Sequence, residues 1–209
     1  MAQRQQIMLT ETICHCRKGE MVFERGDKVQ EIYCLVSGRV KLYKEGMDRV
    51  QILRLIRKNE CFGYPQFFSD GLHRLSAMAM TDITLMKVPM KVVKKIISEN
   101  GQVGLNFMKE LSSRLGMIDE RVVNLTQKHV RGRLADALLI MADTYGRELN
   151  SGMMDCIMSR EEIASFANMT TATAIRTLAA FKEEGVVEFV GKGLRIVNEG
   201  KLEKISNMG

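Results

Sequence analysis

The stretch MSREEIASFANMTTATAIRTLAAFKEEGVV, residues 158–187, carries the densest local signal in the chain. Ser159-Arg160-Glu161-Glu162 has the form of a capping box, in which the Ser159 hydroxyl accepts from the amide of Glu162 and the Glu162 carboxylate reaches back. It predicts a helix with Ile163, Phe166 and Ala167 turned inward and the small Ala164 where a second helix crosses. Asn168 falls where a left-handed corner is required, a conformation Asn tolerates better than most residues, and Met169 plugs that corner. A second helix is predicted from about Thr170 to Glu184, with Ala174, Leu178 and Phe181 toward the core. Helix, tight turn and helix at this spacing bring the start of the second helix within reach of a major groove. Gly185 caps it. Val186–Val190, Gly191-Lys192-Gly193 and Leu194–Val197 then read as a hairpin wing, with Lys192 and Arg195 supplying positive charge at or near its tip. An αα-hairpin followed by a structural ribbon is the competing reading; capping box, corner residue and basic wing together disfavour it.

Upstream the pattern changes twice. From residue 17 to about 90, short β-rich runs at Glu20–Glu24, Glu31–Val36, Arg39–Lys44, Val50–Ile56, Ser76–Thr81 and Thr84–Val88 are punctuated by Gly19, Gly26, Ser37-Gly38, Gly46 and Gly63. This spacing predicts an all-β domain of the meander or jelly-roll kind. Met90–Ser98 is a short helix candidate. The proline-free stretch from about Val103 to Lys128 carries Met108, Leu111, Leu115, Ile118, Val122, Leu125 and His129 in alternating steps of three and four, the seam of a coiled coil. We read it as a dimerisation helix rather than one lying on its own domain. Helix resumes at Arg131 with Leu134, Leu138 and Met141 on one face, and Arg147–Gly152 reads as a loop. The fold class expected is α+β: an antiparallel β jelly-roll domain over 1–99, a long dimerisation helix over 100–129 and a winged helix-turn-helix over 130–209.

Composition narrows the function classes. Hydrophobic residues at 45% and charged residues at 27% are ordinary for a globular chain. A net charge of +6 favours an anionic partner such as nucleic acid. No apolar run approaches the roughly 18 residues that cross a bilayer, and the first twenty residues lack a signal-peptide core, so a cytoplasmic, membrane-free protein is expected. The five cysteines, Cys14, Cys16, Cys34, Cys61 and Cys156, form no disulfide framework, which fits a reducing compartment; Cys34 and Cys61 are expected in the barrel as small apolar residues. With three scattered histidines, no nucleophile motif and no phosphate-cradling glycine loop, no catalytic constellation assembles.

Over nearly its full length the chain resembles the Crp–Fnr family of bacterial transcriptional regulators. GEMVFERGDKVQEIYCLVSGRVKLY, residues 19–43, resembles that family's cyclic-nucleotide-binding-type roll; CFGYPQFFSDGLHRLSA, residues 61–77, its phosphate-binding cassette; and residues 158–187 its DNA-reading motif. The resemblance implies a homodimer on double-stranded DNA, working with RNA polymerase, with an effector or redox signal sensed in the roll. It assigns phosphate contacts to Ser159 and Arg160, a base-reading or phosphate role to Arg176 and a neighbouring hydroxyl to Thr173. Thr170, Thr171, Thr173 and Arg176 are the expected groove face and Lys192 the wing contact. Ala172 stands where well-known members place a glutamate that accepts from cytosine, so their half-site is not expected. The effector pocket falls on Gly63, Tyr64, Arg74 and Ser76. There Tyr64-Pro65 replaces the ribose-binding glutamate, and Leu75 separates the Arg-Ser pair, so cyclic AMP is not expected. An iron–sulfur cluster is disfavoured, because in a strand Cys14 and Cys16 share one face and His15 the other. No metal ligand set is assigned; haem stays open, with His15, His73 and His129 as axial candidates. A reading from another class is a ligand-binding module controlling a protein partner; a steep salt dependence of DNA binding separates the two.

Overall fold

Alternating apolar and polar residues make strands that bury one face, and the resulting sandwich has its interior where the alternation puts it. The computed structural model describes residues 12–146, 158–191 and 193–208. They divide into two units: one runs to Lys44 and takes in Leu53–Met117, the other joins Glu45–Ile52 to the chain from Ile118 onward. The β elements are β1 (Thr12–Cys16), β2 (Met21–Phe23), β3 (Glu31–Ser37), β4 (Val40–Glu45), β5 (Val50–Ile56), β6 (Cys61–Phe62), β7 (Ser76–Ala79) and β8 (Ile83–Pro89). They form two four-stranded sheets, β1-β8-β3-β6 and β2-β7-β4-β5, the alternation of a jelly roll. Phe23, Tyr33, Leu35, Val40, Leu42, Ile56, Phe62 and Leu85 fill the interior. The Ser37-Gly38 turn needs its glycine: φ is +85°, and a Cβ there would lie 2.4 Å from the Asp82 carbonyl oxygen. A second cluster of Val29, Ile32, Tyr64, Val88, Met90 and Val93 packs against Phe107 and Leu111.

One expectation for this unit changes. Cys34 and Cys61 are not separate apolar thiols but a disulfide. They stand opposite one another on β3 and β6, and β6 is a strand of two residues that no periodicity could reveal. Cys14 and Cys16 are free thiols, half-buried against the core, while His15 between them is exposed, as alternation on a strand requires.

Helix α1 (Met90–Glu99) is followed by α2 (Gly101–Gln127), in which no residue is fully buried. Met108, Leu115, Ile118 and Val122 remain 55–60% exposed, whereas Leu111 packs on the second cluster and Leu125 is half-buried. The seam does not continue through His129: α2 ends at Gln127, and His129 (φ −65°, ψ 166°) precedes α3 (Val130–Tyr145). The break is held from both sides. Lys128 Nζ donates to both Asp136 carboxylate oxygens at 2.8 Å, and Arg133 reaches the Leu125 and Lys128 carbonyls, which the ended helix leaves without amide partners.

In the second unit α3 buries Leu134, Leu138 and Met141 as its spacing predicts. It is followed among the described residues by α4 (Arg160–Phe166), α5 (Thr171–Glu183), the hairpin β9 (Val187–Val190) and β10 (Gly193–Ile196), and α6 (Glu199–Met208). The last helix is not anticipated from the sequence; it buries only Leu202 and Ser206. The expected Arg147–Gly152 loop and Cys156 lie outside the described residues.

Candidate nucleic-acid interface

The corner of the helix-turn-helix is built from short-range bonds. Ser159 Oγ accepts from the Glu162 amide at 3.1 Å, and Glu162 Oε2 accepts from the Ser159 amide at 3.0 Å, closing the capping box. Asn168 takes φ +53°, and the Met169 amide donates to the Ala164 carbonyl at 3.0 Å. Arg121 braces the end of α4, donating to the Phe166 carbonyl at 2.8 Å with its guanidinium 4.5 Å from that ring. Burial holds the Arg121 pKa below its ordinary value, against the pull of Asp136.

Thr170 caps α5, its hydroxyl accepting from the Thr173 amide at 3.2 Å and pairing with the Thr173 hydroxyl at 2.8 Å. These two threonines therefore spend hydrogen bonds on starting the helix, while Thr171 is half-buried at its first residue. Ala174, Thr177, Leu178 and Phe181 face the core. The opposite face presents Ala172, Ile175, Arg176 and Ala179 to solvent, with Ile175 49% exposed. Among the described residues Arg176 has no ion-pair partner. Ile175 and Ala179 were missed by sequence reasoning, although steps of three and four from Ala172 would have found them.

The flanking charges are largely committed. Arg160 is half-buried, its guanidinium 4.3 Å from the Phe189 ring of β9. Arg195 does not stand free near the wing tip but pairs with Glu188 across the ribbon, because the register sets those two residues opposite each other. Arg131 pairs with Glu184 at 2.7 Å and stacks on Phe181. Lys192 lies outside the described residues.

The four effector-pocket candidates contact different neighbours. Gly63 (φ +84°) has no room for a Cβ, which would meet the Tyr33 ring at 2.7 Å. Tyr64 is fully buried, edge-on to Phe107 at 5.0 Å and beneath the Arg114 guanidinium; burial first and the Glu110 carboxylate second push its pKa well above the usual phenol value. Exposed Arg74 pairs with Asp70, and Ser76 Oγ accepts from the Arg25 amide at 3.0 Å. At Tyr64, where the resemblance put the ribose-binding acceptor, the structure has a fully buried phenol, and Arg74 is paired with Asp70. The histidines do not converge either. His15 bonds Thr84 through Nδ1, His73 is buried and stacked on Phe23 at 3.7 Å, and His129 is exposed. Among the described residues no group of three or more His, Cys, Asp or Glu is placed to hold a metal ion, and no helix is long and apolar enough to cross a membrane.

Comparison with known proteins covers both units. Residues 13–100 match the family profile described as cyclic nucleotide-binding domain, and residues 132–205 that described as Crp-like helix-turn-helix domain. The chain is 30% identical over 189 residues to the cyclic AMP receptor protein of Thermus thermophilus, covering 88% of this chain and 83% of that one. It is 24% identical to a CRP-like cAMP-activated global transcriptional regulator of Mycobacterium tuberculosis, over 90% of this chain and 84% of that protein. Among solved structures, FixK2 from Bradyrhizobium japonicum superposes with a TM-score of 0.84 at 26% identity, covering 93% of this chain and 96% of that one.

Proposed function

The chain belongs to the Crp–Fnr family of DNA-binding transcriptional regulators, and from that premise we propose that it is a cytoplasmic homodimer reading a palindromic site. The observation that carries the reading is the outward face of α5. Arg176 stands there exposed, without an ion-pair partner among the described residues, beside Ile175 on a helix anchored by a buried opposite face. A guanidinium in a major groove forms paired bonds to guanine, and an aliphatic side chain suits a thymine methyl. Thr171 joins this face. Thr170 and Thr173 set the start of the helix and touch DNA only with bonding capacity left over from their cap. Ser159, Arg160 and Lys192 contact phosphate, which positions the motif without reading sequence.

The dimer forms through the seam of α2. Met108, Leu115, Ile118 and Val122 are apolar and uncovered by their own protomer, which supports a partner helix at the coiled-coil spacing; Leu111 and Leu125 flank it. Two protomers so joined would set half-sites about 34–36 Å apart. Domain limits of 1–99, 100–129 and 130–209 accompany the same reading, with RNA polymerase as the downstream partner. The effector is not a cyclic nucleotide bound as in the cyclic AMP branch, since Tyr64 and Arg74 are otherwise engaged.

Selection of bound duplexes from random DNA, with sedimentation of the free protein, tests this directly. A dimer that enriches an inverted repeat is the expected result; a monomer, or a dimer that selects no repeat, overturns it.

A further inference from the structure

Strand β6 is only Cys61–Phe62, at the edge of its sheet, with Tyr33–Phe62 and Cys34–Cys61 as its register. The neighbouring ladder bond runs from the Leu35 amide to the Glu60 carbonyl at 3.0 Å, so Cys34 and Cys61 occupy the closely spaced position of an antiparallel pair. Their Cα atoms are 4.0 Å apart and their sulfurs are joined. Both residues are half-buried at the rim of the cluster containing Tyr64, Val88 and Met90. The segment just after β6 packs against α2. Tyr64 meets Phe107 at 5.0 Å, and Phe68, at the end of the 3-10 turn Pro65–Phe68, faces the same ring at 6.2 Å. From α2, Arg114 Nη2 donates to the Cys61 carbonyl at 3.3 Å and approaches Glu60 Oε1 at 3.5 Å.

We propose that Cys34 and Cys61 are a reversible thiol–disulfide couple, a redox modification site that staples residues 61–68 and their contact with α2 to β3 when oxidised. The argument for reversibility rests on the cytoplasmic reading above, because a disulfide in a reducing compartment of an ordinary cell is usually transient and regulatory. Short β6 supplies few ladder bonds, so without the staple the segment is held by the backbone bonds of Leu35 with Asn59 and Glu60 and by the buried Phe62 and Tyr64.

The oxidant is a low-molecular-weight disulfide. The thiolate of one cysteine attacks one sulfur of that disulfide, forming a mixed disulfide and expelling a small thiolate. The second cysteine's thiolate then attacks the protein-side sulfur, closing the Cys34–Cys61 bond and expelling the second small thiolate. The two protons lost by the cysteines end on the two small thiols; the protein is oxidised by two electrons and the small disulfide is reduced by two. Cys14 and Cys16 are free thiols on β1, and they are not part of this couple.

The test uses the full chain equilibrated against mixtures of oxidised and reduced glutathione, quenched by alkylation and read peptide by peptide by mass spectrometry, with amide exchange measured in parallel. Positions 34 and 61 should lose alkylation together, with one midpoint. Exchange across residues 59–68 should slow by about tenfold or more in the oxidised protein, as expected when local opening is suppressed. In the Cys34→Ser/Cys61→Ser variant the exchange should ignore the buffer. Alkylation of both positions throughout, a bond surviving the most reducing mixture, or exchange independent of redox state each overturns the proposal. The wild-type titration decides even where the double variant does not fold. None of these readouts uses DNA, and location is read separately by cell fractionation, so failure of the regulatory or cytoplasmic reading is distinguishable from failure of this one.

Discussion

Arg176 is a long cationic side chain on the solvent-facing side of α5, beside exposed Ile175, and among the described residues it has no ion-pair partner. Replacing Arg176 with Ala should cost about 1–3 kcal/mol of specific binding, measured by anisotropy on the selected site, with the thermal midpoint unchanged. An equal loss on random DNA would reassign the residue to phosphate. Ser159 also works on stability. Ser159→Ala removes the capping-box acceptor and should lower unfolding free energy by about 1 kcal/mol in urea titration. His73 sets a pH dependence. It is buried against Phe23, and burial lowers its pKa, with Asp27 opposing. The unfolded chain therefore binds the proton first as pH falls. The stability of neutral His73 is complete above about pH 6.5 and drains away as pH drops through that value toward the lowered folded pKa. His73→Phe, which keeps a ring on Phe23, should flatten the acid-side fall in thermal midpoint; an unchanged slope would refute the assignment. At this scale the capping box and the Asn168 corner were readable because each partner lies within a few residues. The partner of Arg195 was not: Glu188 lies on the other strand of the ribbon, and the strand register sets the two opposite each other.

On α2 the three-four spacing was legible, since a helix of 27 residues repeats its face often enough to stand out. Which of those residues stay uncovered was not, because Leu111 shares the spacing yet packs on the first unit's own cluster. Burying an apolar side chain is worth about 1.5–3 kcal/mol, so Leu115→Glu with Val122→Glu should convert the dimer to monomer in analytical ultracentrifugation and remove the preference for an inverted repeat. A double variant that still sediments as a dimer would place the interface elsewhere. Short elements defeated the periodicity argument. β6 offers two residues, and α6 buries only Leu202 and Ser206 within ten, so neither carries a pattern to detect. The end of α2 at Gln127 depends on Lys128 meeting Asp136 and Arg133 meeting two carbonyls, contacts that form only once α3 has turned back.

For the molecule as a whole, the net charge of +6 gives a general attraction to DNA, but much of the cationic surface near the helix-turn-helix is already paired. Arg131 and Lys201 share Glu184, and Arg195 holds Glu188. Binding should weaken linearly on a log–log plot against salt, with a slope of about −0.9 per phosphate neutralised. Arg160→Ala should reduce the magnitude of that slope by about 1 and weaken all sequences alike, whereas Arg176→Ala should leave it nearly unchanged if the residue reads a base. A salt-independent affinity would remove the regulatory reading.

By itself the sequence determined the order of a β-roll, a long helix and a winged helix-turn-helix, and it determined the register of the recognition helix down to its cap and corner. Those features rest on bonds and periodicities spanning two to four residues, and such signals survive in one dimension. Only the tertiary structure decided that Cys34 and Cys61 face each other, that Arg195 is neutralised by Glu188, and that the phenol of Tyr64 is buried against Phe107 where the family's nucleotide pocket was expected. Each depends on strand register or on packing between distant segments. A shift of one residue in register would have sent those side chains to opposite faces without altering any local pattern.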